Sequence, residues 1–284
     1  MATKTEIESL VYLLDDPDPY VKSEVKNRLF ELGEKAVPLL DQQKNETKND
    51  SEKELINEII QYITYGNLEE DFLDVLDGGL SNLRQLERAV FILSRFDNPT
   101  LREEEYMRKL DRFADMISGK IQYQPDETRQ IHILMDFIFE ELKFTGSTVD
   151  YYNPDNCYIN RVIDRRQGLP ISLALIVLFL ARRLNMPFYG INMPIHFMLK
   201  FKGDKEEVLI DPFDSGKVVS YNQCYFFLKQ NGVDPKSKHF EITSEAEILA
   251  RCIRNLIQSY AKLNAEHKVE SLKKLLNTVE MMCK

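Results

Sequence analysis

The feature that most constrains this chain is the run from Ile171 to Leu184, its most apolar stretch, opened by Gly168-Leu169-Pro170 and closed by Asn185-Met186-Pro187. It is longer than an ordinary strand and too short to cross a bilayer, so it predicts a central helix buried on all sides. Proline suits the first turn of such a helix, because its φ is already near the helical value and it has no N–H to lose. Three short segments follow, Phe188 to Asn192, Ile195 to Phe201 and Glu207 to Ile210, separated by Pro, Gly and charged turns. They read as strands of a small antiparallel sheet.

Two residues of this unit carry chemistry. His196 stands at the start of one expected strand and Asp211 at the end of the next. If the Lys202 to Lys205 turn closes a hairpin they become neighbours, since antiparallel strands lie about 5 Å apart. A histidine with an orienting carboxylate is the pairing of a general base. A surface histidine beside a strand-terminal aspartate is the plainer reading of the same spacing.

The order G-x-x-x-x-x-A at Gly168 to Ala174, then the apolar helix, P-x-H at Pro194 to His196 and D-P at Asp211-Pro212, resembles the transglutaminase-like superfamily. More narrowly, Y-N-P-D-N-C-Y-I-N-R-V-I-D-R-R-Q-G-L-P-I-S-L from Tyr152 and I-D-P-F-D-S-G from Ile210 resemble its branch named after the bacterial regulator SirB-one, whose domain also occurs in an animal F-box protein. The resemblance implies an α+β fold with a papain-like core of a central helix and a small antiparallel sheet. In members that are enzymes it implies a Cys, a His and an Asp in that chain order, the Cys at the start of the helix. Carried over residue by residue, His196 and Asp211 match, and Pro170 stands in the nucleophile's place.

Proline has no nucleophilic atom, so the favoured reading is a non-catalytic binding or regulatory module. It keeps the ancestral cleft, lined by His196, Asp211 and the residues Tyr152, Asn153, Asn156, Asn160, Arg165 and Arg166. The alternative is an acyl-transfer enzyme, an amide hydrolase or transferase, with His196 as base and Asp211 as orienter. Its nucleophile would be Ser172, in the first helical turn, or Cys157, at another helix start that would favour a thiolate. Against these stand two ordinary roles, a serine bonding backbone groups at a helix start and a small buried cysteine.

The rest of the chain reads as helices. Residues 1–145 form an N-terminal helical region packed on the core at 146–220, and 221–284 form C-terminal helices. The segments D-D-P-D-P-Y-V-K and L-G-E-K-A-V-P-L-L resemble one HEAT repeat unit, a helix pair that must dock its apolar face on something else. The polar run Gln42 to Lys53 reads as an exposed loop, and the apolar stripes Leu55 to Ile63 and Phe72 to Leu76 as separate helices. Further helices are expected from Leu83 to Leu93, Leu101 to Ile117, Asp126 to Leu142 and Tyr221 to Lys229. Ser244 to Leu263 with Glu266 to Met282 reads as a helical hairpin resembling a tetratricopeptide pair.

Composition narrows the function classes. At 284 residues, 43% hydrophobic and 29% charged, the chain can bury a sizeable core and reads as a soluble globular protein. A formal charge of -9 argues against a nucleic-acid partner, since phosphate binding needs a positive surface. Cys157, Cys224, Cys252 and Cys283 form no C-x-x-C pair, so reduced thiols are expected, with no metal and no cofactor. With neither a secretory leader pattern nor a membrane-length apolar run, cytoplasmic location is the default. The expected partner is a protein or peptide. Oligomeric state is open.

Overall fold

The structure, a computed structural model, describes residues 4–77, 79–99 and 101–282. It divides into two compact units, Met1–Asp74 with Ile92–Arg102, and Val75–Phe91 with Glu103–Lys284. The first unit is helical: α1 (Lys4–Tyr12), α2 (Pro19–Leu32), α3 (Val37–Glu46) and most of α4 (Asp50–Leu76). Asp18 starts α2 by accepting a hydrogen bond from Tyr20 N at 2.8 Å, with Pro19 in the first turn. Ile7, Val11, Leu14, Val25, Leu29, Leu40, Ile56, Ile59 and Ile63 bury one another in its core. Arg95 closes this unit by ion-pairing with both Glu34 and Asp71.

Two expectations fail here. The run Gln42 to Lys53 is not a loop: α3 continues to Glu46 and α4 begins at Asp50, leaving only residues 47–49 between them. Its Gln, Lys and Glu residues are good helix formers on a solvent face, and Asn49 Oδ1 caps α4 by accepting from Ser51 N at 3.1 Å. The two stripes after it belong to one helix of 27 residues. No proline interrupts them, and Gly66 costs only about 1 kcal/mol against alanine, too little to break a helix with a buried stripe.

The second unit is α+β. Its helices are α5 (Leu83–Ser94, whose last residues belong to the first unit), α6 (Glu103–Gln122), α7 (Glu127–Met135), α8 (Ile159–Arg165), α9 (Pro170–Arg183), α10 (Tyr221–Gln230), α11 (Glu245–Lys262) and α12 (Glu266–Met282). Helix α7 runs on as a π-helical turn, Asp136–Glu141. Strands β1 (Thr145–Gly146) and β2 (Gln167–Gly168) form a short parallel pair. Strands β3 (Phe188–Ile191), β4 (Met198–Lys202), β5 (Glu207–Asp211) and β6 (Lys217–Val219) form an antiparallel sheet in that order.

Helix α9 is the predicted centre: every residue from Pro170 to Ala181 is buried. Helices α6, α7, α8 and α11 and strands β3 and β4 pack around it. Ile191, Met198 and Leu209 on one sheet face bury Cys224 and Leu228 of α10. The β4–β5 turn is pinned from outside, because the Glu127 carboxylate accepts from Asp204 N, Lys205 N and Glu206 N at 2.9–3.0 Å. Three converging N–H groups make an anion nest, which fixes the hairpin register beside α7. The C-terminal hairpin buries Leu249, Cys252, Ile253 and Leu256 of α11 with Leu272, Leu275 and Val279 of α12.

The sheet differs from expectation in two places. Strand β4 begins at Met198, not Ile195, so His196 lies in the turn before it. Ile195 there has φ 70°, a left-handed conformation that β-branched residues rarely take. Strand β6 has only three residues, too short to signal itself in the sequence. Among the described residues, no helix is long and apolar enough to cross a membrane, and no group of three or more His, Cys, Asp or Glu could hold a metal ion. Cys157, Cys224 and Cys252 are free and buried, and Cys283 lies outside the described residues.

Candidate functional site

The hairpin places Leu199 opposite Ile210, so Asp211 ends β5 close to the turn that carries His196. Their side chains meet, with His196 Nε2 2.9 Å from Asp211 Oδ1. A carboxylate only accepts, so Nε2 is the donor, and whenever the ring is neutral that tautomer leaves Nδ1 as the acceptor nitrogen. Among the described residues Nδ1 makes no hydrogen bond. The pair is largely sheltered, at 14% and 20% side-chain exposure. The His196 ring centroid lies 6.2 Å from that of Phe213 and 5.8 Å from that of Phe227.

The motif I-D-P-F-D-S-G explains how Asp211 is held. Its Oδ1 also accepts from Phe213 N at 2.8 Å and Asp214 N at 3.3 Å, a turn closed by its own first residue. Gly216 N returns to Asp211 O at 2.9 Å with φ 72°. A Cβ on Gly216 would collide with Met135 and Phe139. Burial alone would raise the Asp211 carboxyl, but the His196 hydrogen bond and charge and the two N–H donors outweigh it and hold its pKa below the usual aspartate value.

A pKa lowered by folding means stability that is complete above the unfolded value of about 3.9 and drains away as pH falls through the folded value. Asp211→Asn is therefore expected to be less stable than the wild type at neutral pH, with the gap closing below about pH 4. Denaturant midpoints measured across that range check it. A gap independent of pH would mean that the charge plays no part.

The start of α9 is built differently. Pro170 occupies its first turn. Asn156, fully buried, braces the place from below. Its carbonyl accepts from Leu169 N at 3.2 Å and from the Ser172 hydroxyl at 2.7 Å, and its Nδ2 donates to Asp150 O at 2.6 Å. Arg165 reaches its Oδ1 at 3.3 Å. Asn153 caps the turn at Pro154–Asn156 by accepting from Asp155 N and ties back to Asp150. Cys157 is buried with its sulfur 3.7 Å from Ser259 Oγ, and burial pushes its thiol up to about 12.

The structure thus brings His196 and Asp211 together, and it joins Asn156, Ser172 and Arg165 to one another. The other residues expected along the cleft have surroundings of their own. Asn160 is buried, at 2% exposure. Arg166 lies over the rings of Phe113 and Phe144, 4.7 and 4.6 Å from their centroids. Tyr152 is exposed beside Lys262 of α11. Y-N-P-D-N-C therefore reads as a brace under the helix, which its polar residues alone did not reveal.

Phe213 and Phe227 were missed at the sequence level. Phe213 sat inside the D-P-F-D-S-G motif, whereas Phe227 had no local signal. Phe213 also bridges towards the helix start: a Cβ on Gly146 would fall 2.5 Å from its ring, and Gly146 pairs with Gly168, two residues before Pro170. Gly146→Ala is expected to cost about 1–3 kcal/mol by overpacking. Chemical denaturation of Gly146→Ala, of Phe213→Ala and of the pair measures it. The pair should be less destabilised than the sum of the two singles, and strict additivity would remove the contact from the account.

The family model described as the transglutaminase-like superfamily matches residues 104–254, just over half of the chain. A UPF0162 protein of Xylella fastidiosa (strain 9a5c) is 28% identical over 185 residues, 63% of this chain and 66% of that protein. A UPF0162 protein of Vibrio cholerae is 25% identical over 171 residues, 59% of this chain and 63% of that protein. F-box only protein 21 of Homo sapiens is 31% identical over 128 residues, 42% of this chain and 20% of that protein. The chain spans less than two thirds of the length of each of these curated relatives. No solved structure matches it.

Proposed function

Because the chain belongs to the transglutaminase-like superfamily, we propose that it is a non-catalytic member, of the SirB-one branch, that binds a protein or peptide through the cleft beside His196 and Asp211. Pro170 takes the place of the nucleophilic cysteine in this reading. The observation that carries it is that both substitutes are engaged elsewhere. The Ser172 hydroxyl gives its hydrogen to the Asn156 carbonyl, and Cys157 is buried against Ser259. Neither presents an activated atom to His196, and acyl transfer needs one. The His196–Asp211 pair still offers an oriented acceptor nitrogen in a sheltered site, a recognition group without a nucleophile to serve. The matched stretch is a fifth of F-box only protein 21, which supports a portable module.

The test is to mix the protein with activated amide and ester acyl donors and follow release of the leaving group. No burst is expected. A burst of one equivalent per chain that disappears in His196→Ala would overturn the reading, because it requires a nucleophile working with that base.

A further inference from the structure

Among the described residues, Arg251 of α11 is a half-buried guanidinium paired with no carboxylate. The hydrogen bond it makes goes to Asn192 Oδ1, at 3.0 Å. Glu247 stands one helical turn before it, the spacing at which acid and base on a helix pair directly. Its carboxylate accepts instead from Asn192 Nδ2, at 3.2 Å. The Asn192 amide is thus interposed between the two charges. Two further acids of this region are engaged elsewhere: Glu280 pairs with Arg254, and Asp150 accepts from Asn153.

Electrostatics agree with that geometry. Burial lowers the Arg251 pKa, and the groups that oppose it, Tyr151 and Cys252, are themselves raised and so neutral at pH 7. Arg183, which is sheltered against Glu87 and Asp111, is shifted upward. A desolvated cation without a counter-charge is unfavourable, and the planar guanidinium keeps donors that match a carboxylate two at a time.

Arg251 also stands where the two sides of the cleft meet. Asn192 opens the connection 192–197 between β3 and β4, which carries His196. Tyr151, near enough for its charge to act on Arg251, belongs to the segment that braces the start of α9. Its carbonyl accepts from Asn156 Nδ2 at 3.4 Å, and the Asn156 carbonyl holds Leu169 N and the Ser172 hydroxyl. Tyr151 is 37% exposed, and among the described residues its hydroxyl makes no hydrogen bond, which leaves a second donor at the same place.

We infer that Arg251, with the Tyr151 hydroxyl near it, binds a carboxylate of the peptide that occupies the cleft, either its C-terminus or an Asp or Glu side chain. The inference deepens the non-catalytic binding reading and rests on it.

The experiment follows the Arg251 Nε–Hε and His196 ring signals of the full chain by NMR, assigned with Arg251→Gln and His196→Ala. Four acetylated Gly/Ala hexapeptides are titrated: the free acid, its C-terminal amide, and that amide with a central Glu or a central Gln. Both signals should move with the free acid or with the Glu peptide, and whichever acts names the source of the carboxylate. The amide and the Gln peptide should bind about tenfold more weakly or less, as loss of a charge-assisted pair requires. Arg251→Gln, followed through His196, should weaken the acid peptides by about tenfold or more. Tyr151→Phe keeps the ring and should weaken them about fivefold, which tests the site even if Arg251→Gln does not fold. Absence of binding by both acid peptides, equal binding by the neutral ones, or indifference to both variants overturns the proposal. So does a shift at Arg251 without one at His196, or one produced by inorganic phosphate alone. An acyl burst would sink the non-catalytic reading with carboxylate binding intact, whereas failure of the acid peptides without a burst would sink only the Arg251 site.

Discussion

Iodoacetamide at neutral pH is expected to label Cys157 in the folded protein roughly three-thousandfold more slowly than in the unfolded chain. The thiolate is the reacting species. A free cysteine ionises near pH 8.5, whereas burial pushes the Cys157 thiol up to about 12, so its thiolate fraction at pH 7 falls by that factor. Cys252 is raised by burial as well, and Cys224 by burial and by the charge of Asp211. Mass-mapped labelling time courses with and without denaturant measure the ratio. A cysteine nucleophile paired with His196 would show the opposite, fast labelling in the folded state that slows in His196→Ala. A serine-directed fluorophosphonate extends the test to Ser172, which should remain unmodified while its hydroxyl is donated to Asn156.

What the sequence made legible depended on how local the cause was. The buried helix could be read because Ile171 to Ala181 is almost wholly apolar and lies between Pro170 and Pro187, a pattern that favours a helix enclosed on all sides. The approach of His196 to Asp211 followed from a short hairpin, where chain connectivity alone sets the pairing. The role of the Tyr152 to Arg166 segment was not legible in the same way. Asn156 and Arg165 look like recognition groups by residue type, but the partners of Asn156 are the backbone of residues 150 and 169 and the hydroxyl of Ser172, and those of Arg165 are Asn156 and Asp155, which only the folded chain supplies. The stacking of Arg166 on Phe113 and Phe144 depends on α6, distant in sequence. The misread Gln42 to Lys53 run is a different case, polarity taken as a loop signal when it marked the solvent face of two helices.

Glu87→Ala is expected to cost about 3–5 kcal/mol, the largest loss from any single side chain considered, because it breaks a buried charge network on one side only. The Glu87 side chain is 3% exposed. Its carboxylate accepts from Arg182 at 2.7 Å and from both terminal nitrogens of Arg183 at 2.7 and 2.8 Å. Arg183 spends its other donors on Asp111 at 2.7 Å and the Phe179 carbonyl at 3.0 Å. These arginines end α9, where positive charge also suits the helix dipole. Taking away Glu87 leaves the sheltered Arg183 guanidinium with only Asp111 and the Phe179 carbonyl, and strips its carboxylate partner from Arg182, whose side chain is 32% exposed. Replacing the three residues together by leucine removes the charges along with the need to pair them, and apolar substitutes for a buried ion pair are often neutral or stabilising. The triple variant should therefore be more stable than Glu87→Ala alone, even though it loses more interactions. Urea denaturation of the three proteins decides between two accounts of the α9 terminus. If the triple variant is as unstable as the single, the network contributes net stability. If it recovers, Glu87 is required chiefly because Arg182 and Arg183 are there.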